Sequence, residues 1–313
     1  MRKRWRLLLI VLVGALLIGG ALASREFWFY LPAGEGPAGP AVSREPFQQA
    51  WTEREVLLLG VGDSVTAGYG ASAGRSYFDR LVKNPDDEFA EMRGICLSAA
   101  LPNLRSENLA ISGSTSLHHL DILRESLPQQ DAKTLGLVVM TTGGNDLIHN
   151  YGRSPPREGA MYGAAMAQAK PWIAAFEKRL DAMFDLLNAR FPGGCQVFVA
   201  DIYDPTDGVG EPGLTGLPPW PDGLEILGAY NDAIRRTAAK RPNVHVVPMH
   251  REFLGHGIYC RQPWREHYRA GDPHYWYADN IEDPNERGYD AIRRLFLIEM
   301  AKAAPQFRGE PRK

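Results

Sequence analysis

Short apolar runs alternate with longer amphipathic stretches along most of the chain. The runs are nearly continuous in Val, Ile and Leu, as expected for strands that are covered on both faces. They extend from Val56 to Val61, Glu107 to Ile111, Leu135 to Thr141, Gln196 to Asp201 and Val244 to Pro248. Helical spacing predicts helices near Tyr77 to Lys83, Leu117 to Glu125, Trp172 to Phe191, Leu227 to Lys240 and Gly288 to Lys302.

Strands that alternate with helices in this way predict an α/β fold. The expected architecture is a three-layer α/β/α sandwich with a parallel, flavodoxin-like sheet of about five strands. In such a sheet the ligand site lies at the carboxyl ends of the strands. Polar residues that directly follow a strand are therefore the first candidates for chemistry.

The first residues follow a different pattern, that of an export signal. MRKRWR is a basic flank, and residues 7–23 form an apolar run. Ala21-Leu22-Ala23 fits a cleavage site of small residues, but the run is long for a cleaved signal. Both outcomes stay open: a domain anchored outside the cytoplasm by residues 7–23, or a domain secreted after cleavage.

Composition divides the chain into four segments. Residues 1–24 are the signal peptide or signal anchor, and residues 25–51, rich in Pro, Gly and Ala, are interpreted as a linker. Residues 52–307 are expected to form one globular domain, followed by a tail at 308–313. The formal net charge of -2 gives no reason to expect a nucleic-acid partner. No metal or cofactor is expected, because the cysteines and histidines lack the spacing of a metal site.

Three polar, glycine-rich turns follow consecutive predicted strands. They contain Asp63-Ser64, Ser112-Gly113-Ser114 and Gly143-Gly144-Asn145-Asp146. A serine at a strand-to-helix turn can expose its hydroxyl while backbone N–H groups at the helix start face an anion. Gly113 leaves room for a substrate, and Asn145 offers an amide N–H. Together these are the parts of an acyl-transfer site.

GDSVTAGYG, NLAISGST and TTGGND resemble the first three sequence blocks of the SGNH (GDSL-type) hydrolase superfamily. In that family a serine attacks an ester carbonyl. The serine N–H, a glycine N–H and an asparagine side chain hold the oxyanion. The resemblance implies that Ser64 is the nucleophile and that Gly113 and Asn145 complete the oxyanion hole.

The fourth block departs from the family pattern. The family usually has Asp-x-x-His-Pro-Asn-x-x-Gly before its last helix, whereas this chain reads NIEDPNERG from Asn280 to Gly288. Asp283 occupies the place of the histidine, and Asn280 that of its supporting aspartate. A carboxylate with a pKa of about 4 is a poor base for a serine at neutral pH, unless burial raises that pKa.

The histidines that precede this block are therefore the predicted bases. His274 is the first choice, because its loop must cross the strand ends to reach the last helix. Glu282, Asp283 or Asp272 would orient its other ring nitrogen. His256, which follows the fifth predicted strand between two glycines, is the alternative.

The sequence predicts an exported serine esterase that forms an acyl-serine intermediate. One alternative is a carbohydrate O-acyl esterase or acyltransferase that acts on envelope glycans. Another is a non-catalytic binding module that kept the fold and lost its base. The partner would be a small-molecule, lipid or glycan ester, and Trp220, Trp264, Trp276 and Tyr277 are candidates to line its groove.

Overall fold

A parallel sheet of five strands forms the centre of the molecule, and its strand order is β2-β1-β3-β4-β5. The computed structural model describes residues 2–213 and 215–308. The strands are β1 (Val56–Gly62), β2 (Leu104–Asn108), β3 (Leu135–Thr141), β4 (Cys195–Ala200) and β5 (Val244–Val247). Helices cover both faces, which confirms the predicted three-layer sandwich and its parallel sheet.

Ten α-helices accompany the sheet in the described part of the chain. They are α1 (Arg2–Ser24), α2 (Ser64–Ala67), α3 (Tyr77–Val82), α4 (Leu97–Ala100), α5 (Ser116–Ser126), α6 (Gly144–Ile148), α7 (Met166–Arg190), α8 (Gly223–Ala239), α9 (Met249–Phe253) and α10 (Glu286–Ala303). One hydrophobic cluster joins the sheet to α3 and α10, and a second joins its other face to α7 and α8. Consecutive β1 residues alternate between the two clusters, because side chains in a strand point to opposite faces.

The strand predicted at residues 107–111 instead runs from Leu104 to Asn108. This strand lies at the edge of the sheet and four of its five residues are exposed, so its sequence, LRSEN, lacks an apolar run. The apolar Leu109 and Ile111 follow the strand, and their N–H groups bond to the carbonyls of Gly60 and Gly62 at the end of β1. Edge position explains why hydrophobic patterning placed this strand too late.

The segment interpreted as a linker packs along the domain. Phe47 and Trp51 are buried in the first hydrophobic cluster. The N–H of Ala38 donates to Asp290 Oδ2 on α10 at 2.9 Å. Gly39 lies so close to α10 that a Cβ there would be 2.7 Å from the Cα of Ala291. The tail at 308–313 lies outside the described residues except for residue 308.

A buried ion network ties α10 to the first half of the domain. Glu88 accepts hydrogen bonds from Arg80 at 2.8 Å and from Arg293 at 2.9 Å. Asp290 accepts from Arg293 Nε at 2.6 Å. Burial alone would raise the pKa of Glu88, but the two arginines overcome that effect and lower it to about 2. Glu88 is therefore ionised and pairs with two buried cations.

Replacing Glu88 with glutamine is expected to destabilise the fold by about 3 to 5 kcal/mol, because it leaves buried arginines without compensation. The free energy of unfolding in urea measures the change. Glu91→Gln is the matched control, since Glu91 is exposed and contacts Arg294 at 2.9 Å. Glu91→Gln should lower the free energy of unfolding by less than about 1 kcal/mol. Equal losses in the two variants would show that the network contributes no more than a surface pair.

Candidate active site

Ser64 stands at the carboxyl end of β1, on the first residue of α2. Asp63 caps this helix, and its Oδ1 accepts from the N–H of Val65 at 3.2 Å and from Thr141 Oγ1 at 2.7 Å. Gly62 has a φ of 140°, and a Cβ there would be 2.1 Å from the carbonyl oxygen of Thr141. The close contact of β1 with β3 requires this glycine. The turn fixes the backbone of Ser64, whose half-buried hydroxyl has no partner among the described residues.

Three hydroxyl groups form a directed chain behind this turn. Tyr77 Oη lies 2.6 Å from Thr66 Oγ1, which lies 2.8 Å from Thr141 Oγ1. Because Thr141 uses its one proton to bond Asp63, it accepts from Thr66, and Thr66 in turn accepts from Tyr77. Every hydroxyl dipole thus points toward the Asp63 carboxylate. Sequence reasoning missed this chain, because its members are separated widely along the sequence.

Asp63 is a titratable group next to the candidate nucleophile. Burial raises its pKa to about 6, although hydrogen bonds from Thr141 and Val65 oppose the shift. The negative charge of Asp283 also raises the pKa. The negative charge of Asp146 acts in the same direction, so the Ser64 turn lies in the field of buried carboxylates.

The second predicted turn contains Gly113, which has a φ of 81° and open space where a Cβ would stand. Next to it, Ser114 Oγ donates to the carbonyl of Gly62 at 3.0 Å and lies 2.8 Å from His119 Nε2. Since the serine proton is already used, His119 Nε2 donates, and its Nδ1 accepts from Thr142 at 2.8 Å. Burial lowers the pKa of His119 to about 3, so a neutral histidine supports this turn.

Asn145 is held by the third predicted turn. α6 begins after Gly143, which has a φ of 96°. The side-chain amide of Asn145 donates one N–H to the carbonyl of Ser114 at 2.8 Å, which leaves its second N–H for another acceptor. The neighbouring Asp146 accepts from the backbone N–H of Ser116 at 2.8 Å and connects α6 to α5. The second and third turns are thus joined directly.

A cavity of about 150 Å³ opens beside Ser64. Ser64 and Asn145 both line it, whereas Gly113 lies in the neighbouring turn outside the lining. The wall of the cavity is mainly apolar and includes Leu147, Ile202, Leu217, Trp220, Leu224, Leu227 and Ile258. Of the aromatic residues predicted to line a groove, Trp220 is in this wall, and Trp264, Trp276 and Tyr277 are outside it.

Asp283 is buried just before α10, with 3% of its surface exposed. Its Oδ2 accepts from Asn280 Nδ2 at 2.7 Å, and its N–H donates to Asn280 Oδ1 at 3.1 Å. Its other oxygen, Oδ1, is buried without a hydrogen-bond partner among the described residues. Such an oxygen is costly in a native structure and calls for a functional explanation.

His274, the predicted base, is not brought to the cavity. Its Nδ1 lies 2.5 Å from Asp272 Oδ1, and Asp272 also accepts from Arg287 at 2.5 Å. The ring packs on Gly34, where a Cβ would be 2.7 Å from it. Next to His274 the loop contacts the N-terminal segment, where the N–H of Tyr275 donates to the carbonyl of Pro32 at 2.8 Å. Sequence reasoning placed His274 over Ser64 because the loop was expected to cross the strand ends on its way to the last helix.

The alternative base, His256, is buried elsewhere. Its ring stacks on Trp276 with centroids 3.4 Å apart, and its Nδ1 lies 3.0 Å from the carbonyl oxygen of His274. Burial lowers the pKa of His256 to about 4, so the ring is neutral. His256 does not line the cavity. Of the three predicted orienting acids, Glu282 lines it, whereas Asp272 and Asp283 do not. Among the described residues, no group of three or more His, Cys, Asp or Glu side chains is placed to hold a metal ion.

Comparison with known proteins identifies the family. The profile of the GDSL-like lipase/acylhydrolase family matches residues 61–291. The acetylxylan esterase Axe2 from Geobacillus stearothermophilus is 18% identical, with a TM-score of 0.51 over 79% of this chain and 94% of that one. Phospholipase A1 from Streptomyces albidoflavus NA297 is 19% identical, with a TM-score of 0.48 over 78% and 98%.

A search of curated proteins found no match. At these identities the solved structures show the fold alone, and Axe2 agrees with the parallel three-layer architecture. The family profile, in contrast, covers most of the chain and includes all three glycine-rich turns. The chain therefore belongs to the GDSL-like lipase/acylhydrolase family and is an ester-bond hydrolase.

Proposed function

We propose that the protein is an exported serine esterase that cleaves carboxylic esters through an acyl intermediate on Ser64. The main support is the position of Ser64, at the start of α2 with an unbonded hydroxyl beside a mainly apolar cavity. The Ser64 and Gly113 N–H groups and the Asn145 amide would hold the oxyanion. Donors fixed in advance by the backbone stabilise the developing charge without reorganisation.

We assign the proton transfers to Asp283. It occupies the position of the family's histidine, has one unpartnered oxygen, and its charge acts on the residue next to Ser64. Asn280 is a positioning residue, since its amide holds the other oxygen of Asp283. His274 and His256 are set aside as bases because the His274 ring packs on Gly34 and the His256 ring stacks on Trp276, and neither contact involves the Ser64 turn.

The reaction then proceeds in two halves. Ser64 Oγ forms a bond to the ester carbon while its proton moves to the Asp283 carboxylate. The bond to the leaving alcohol breaks, and the alcohol oxygen takes that proton. Water then bonds to the acyl carbon while one of its protons moves to Asp283. The bond between that carbon and Ser64 Oγ breaks, Ser64 Oγ takes the proton from Asp283, and the carboxylic acid leaves.

The cavity favours an acyl chain longer than acetate. A dry apolar cavity of about 150 Å³ accommodates a group the size of benzene, or about six carbon atoms. The apolar wall formed by Leu217, Trp220 and Leu227 suits a hydrocarbon chain better than a hydroxylated sugar ring. We infer a lipid-like or medium-chain ester as the substrate class.

Fluorophosphonate labelling of the full chain tests the nucleophile, with the adduct located by peptide mass spectrometry. A stoichiometric adduct on Ser64 is expected. Initial rates on a series of p-nitrophenyl esters from acetyl to decanoyl test the acyl site, and a maximum near hexanoyl is expected. Highest activity on acetylated sugars would favour the carbohydrate esterase. The absence of any adduct or turnover would favour the binding module.

Asn145→Ala is expected to lower kcat by about 10² to 10³, as losing one oxyanion donor usually does. KM for the same ester should change little, because the oxyanion forms only after attack. Asn103→Ala is the matched control, since that exposed amide donates to the carbonyl of Glu53 at 2.8 Å, away from the cavity. Melting temperatures of both variants check folding. An unchanged kcat in Asn145→Ala would remove this amide from the oxyanion hole.

A further inference from the structure

From Leu7 onward the N-terminal helix is apolar on all sides, and its side chains there are almost all exposed. The segment from Arg4 to Phe29 is long and apolar enough to cross a membrane, and none of its most apolar window is buried. α1 has 23 residues. At about 1.5 Å per residue its length exceeds the roughly 30 Å hydrocarbon layer of a bilayer. A lipid bilayer would shield these exposed apolar side chains from water.

The end of this helix is fixed to the catalytic domain. Arg261 forms an ion pair with Glu26, and Gln262 Nε2 donates to the carbonyl of Phe27 at 3.1 Å. The ring of Trp264 lies 5.1 Å from that of Phe27 and 5.4 Å from that of Trp28. These contacts begin two residues after α1 ends. We call residues 25–30 and 261–265 the aromatic clamp.

The clamp leaves large aromatic side chains in contact with solvent. Trp28 is 44% exposed, Phe29 65%, Tyr30 43% and Trp264 53%. Two cations lie beside them, with the guanidinium of Arg25 5.6 Å and that of Arg261 6.0 Å from the centre of the Tyr30 ring. Tryptophan and tyrosine favour the headgroup level of a bilayer, and arginine attracts anionic lipid. Exposed aromatic side chains grouped with arginines in this way are typical of an interaction surface and not of a surface that contacts only water.

We propose that the aromatic clamp seats the catalytic domain directly on the lipid surface, with Trp28 and Trp264 at the level of the headgroups. The bilayer is the partner because the clamp continues without a break from a helix of spanning length. The segment between helix and domain is then too short to act as a flexible tether. The domain is instead held in a fixed orientation on the membrane.

The clamp is also connected to the substrate cavity. Ile258 lines the cavity, and its N–H donates to the carbonyl of Pro205 at 2.9 Å. The same loop continues to Arg261 and Trp264. Lipid contact at the clamp thus lies next to one wall of the acyl site. This last step rests on the proposed esterase function, whereas the membrane contact itself does not.

Quenching of tryptophan fluorescence by brominated lipid tests the contact. The full chain is reconstituted in vesicles of phosphatidylcholine and phosphatidylglycerol, with or without bromine on the acyl chains. Trp264→Phe is expected to lose part of the quenchable emission. The control is Trp172→Phe on α7, a partly buried residue that packs on the second hydrophobic cluster. Replacing Trp172 should lower the total emission but leave the emission that the bromolipid quenches unchanged.

Equal quenching in wild type and Trp264→Phe, after correction for total emission, would overturn the proposal. So would release of the domain from the vesicles by cleavage after residue 23, detected as a shortened chain by mass spectrometry. Hydrolysis of a soluble short-chain ester is measured on the same samples and should be unchanged in Trp264→Phe. Quenching without any hydrolysis would reject the esterase function and leave the membrane contact standing.

Discussion

Ser64→Ala is expected to lower kcat for ester hydrolysis by about four orders of magnitude or more. Serine hydrolases show a loss of this size when their nucleophilic serine is removed. The backbone of this residue is fixed by the Asp63 cap and by the close contact of Gly62 with β3. Alanine at the first position of a helix disturbs neither feature. The fold and the cavity should therefore persist while the acyl-enzyme can no longer form. Initial rates and fluorophosphonate adducts measure both consequences.

Ser72→Ala is the matched control for this change. Ser72 is an exposed serine whose hydroxyl donates to Glu286 Oε1 at 2.7 Å, so its loss removes a hydroxyl outside the cavity. Its kcat should stay within about twofold of wild type, as expected for a surface substitution. Retained turnover in Ser64→Ala would exclude the acyl-serine route. It would indicate direct attack by water in the field of the buried carboxylates.

The sheet and the turn that carries Ser64 were predictable from sequence because they depend on local signals. β1 and β3 are buried on both faces, so their sequences are nearly continuous apolar runs. Glycines lie at the end of each strand or just after it because the chain turns sharply there into a helix. Ser64 and Asn145 meet at one cavity because parallel strands bring their carboxyl ends to one edge. The topology therefore determines which turns converge, without knowledge of side-chain contacts.

The surroundings of the candidate bases were not predictable in the same way. The ring of His274 is held by Gly34 and Asp272, and the contact with Gly34 depends on an N-terminal segment that has no periodic pattern. Pro, Gly and Ala in that segment suggested a flexible linker, but Ala38 and Phe47 pack into the domain. The unpartnered oxygen of Asp283 is likewise a property of the folded molecule, since sequence shows only the missing histidine.

Asp283→Asn is expected to lower kcat/KM by about 10² to 10⁴, the usual contribution of a positioned general base. Asparagine has nearly the same shape, and its side-chain oxygen can still accept the 2.7 Å bond from Asn280, so the loop should keep its conformation. The substitution removes one negative charge near Asp63. The pKa of Asp63 should therefore fall from about 6, which carbon-13 NMR of the carboxyl can follow with pH. The shift of the Asp63 pKa would show that the Asp283 charge acts on the Ser64 turn, and an unchanged kcat/KM at constant stability would limit Asp283 to a role in folding.

Three parallel variants decide between the bases. Asp279→Asn removes an exposed carboxylate from the same loop and should leave kcat/KM within about twofold. His274→Gln and His256→Gln test the histidines that sequence reasoning favoured. A large loss in His274→Gln, with Asp283→Asn nearly as active as wild type, would mean that the loop moves to bring the imidazole over Ser64 when substrate binds. The opposite result would establish a family member in which a buried carboxylate, held by an asparagine amide, accepts the serine proton.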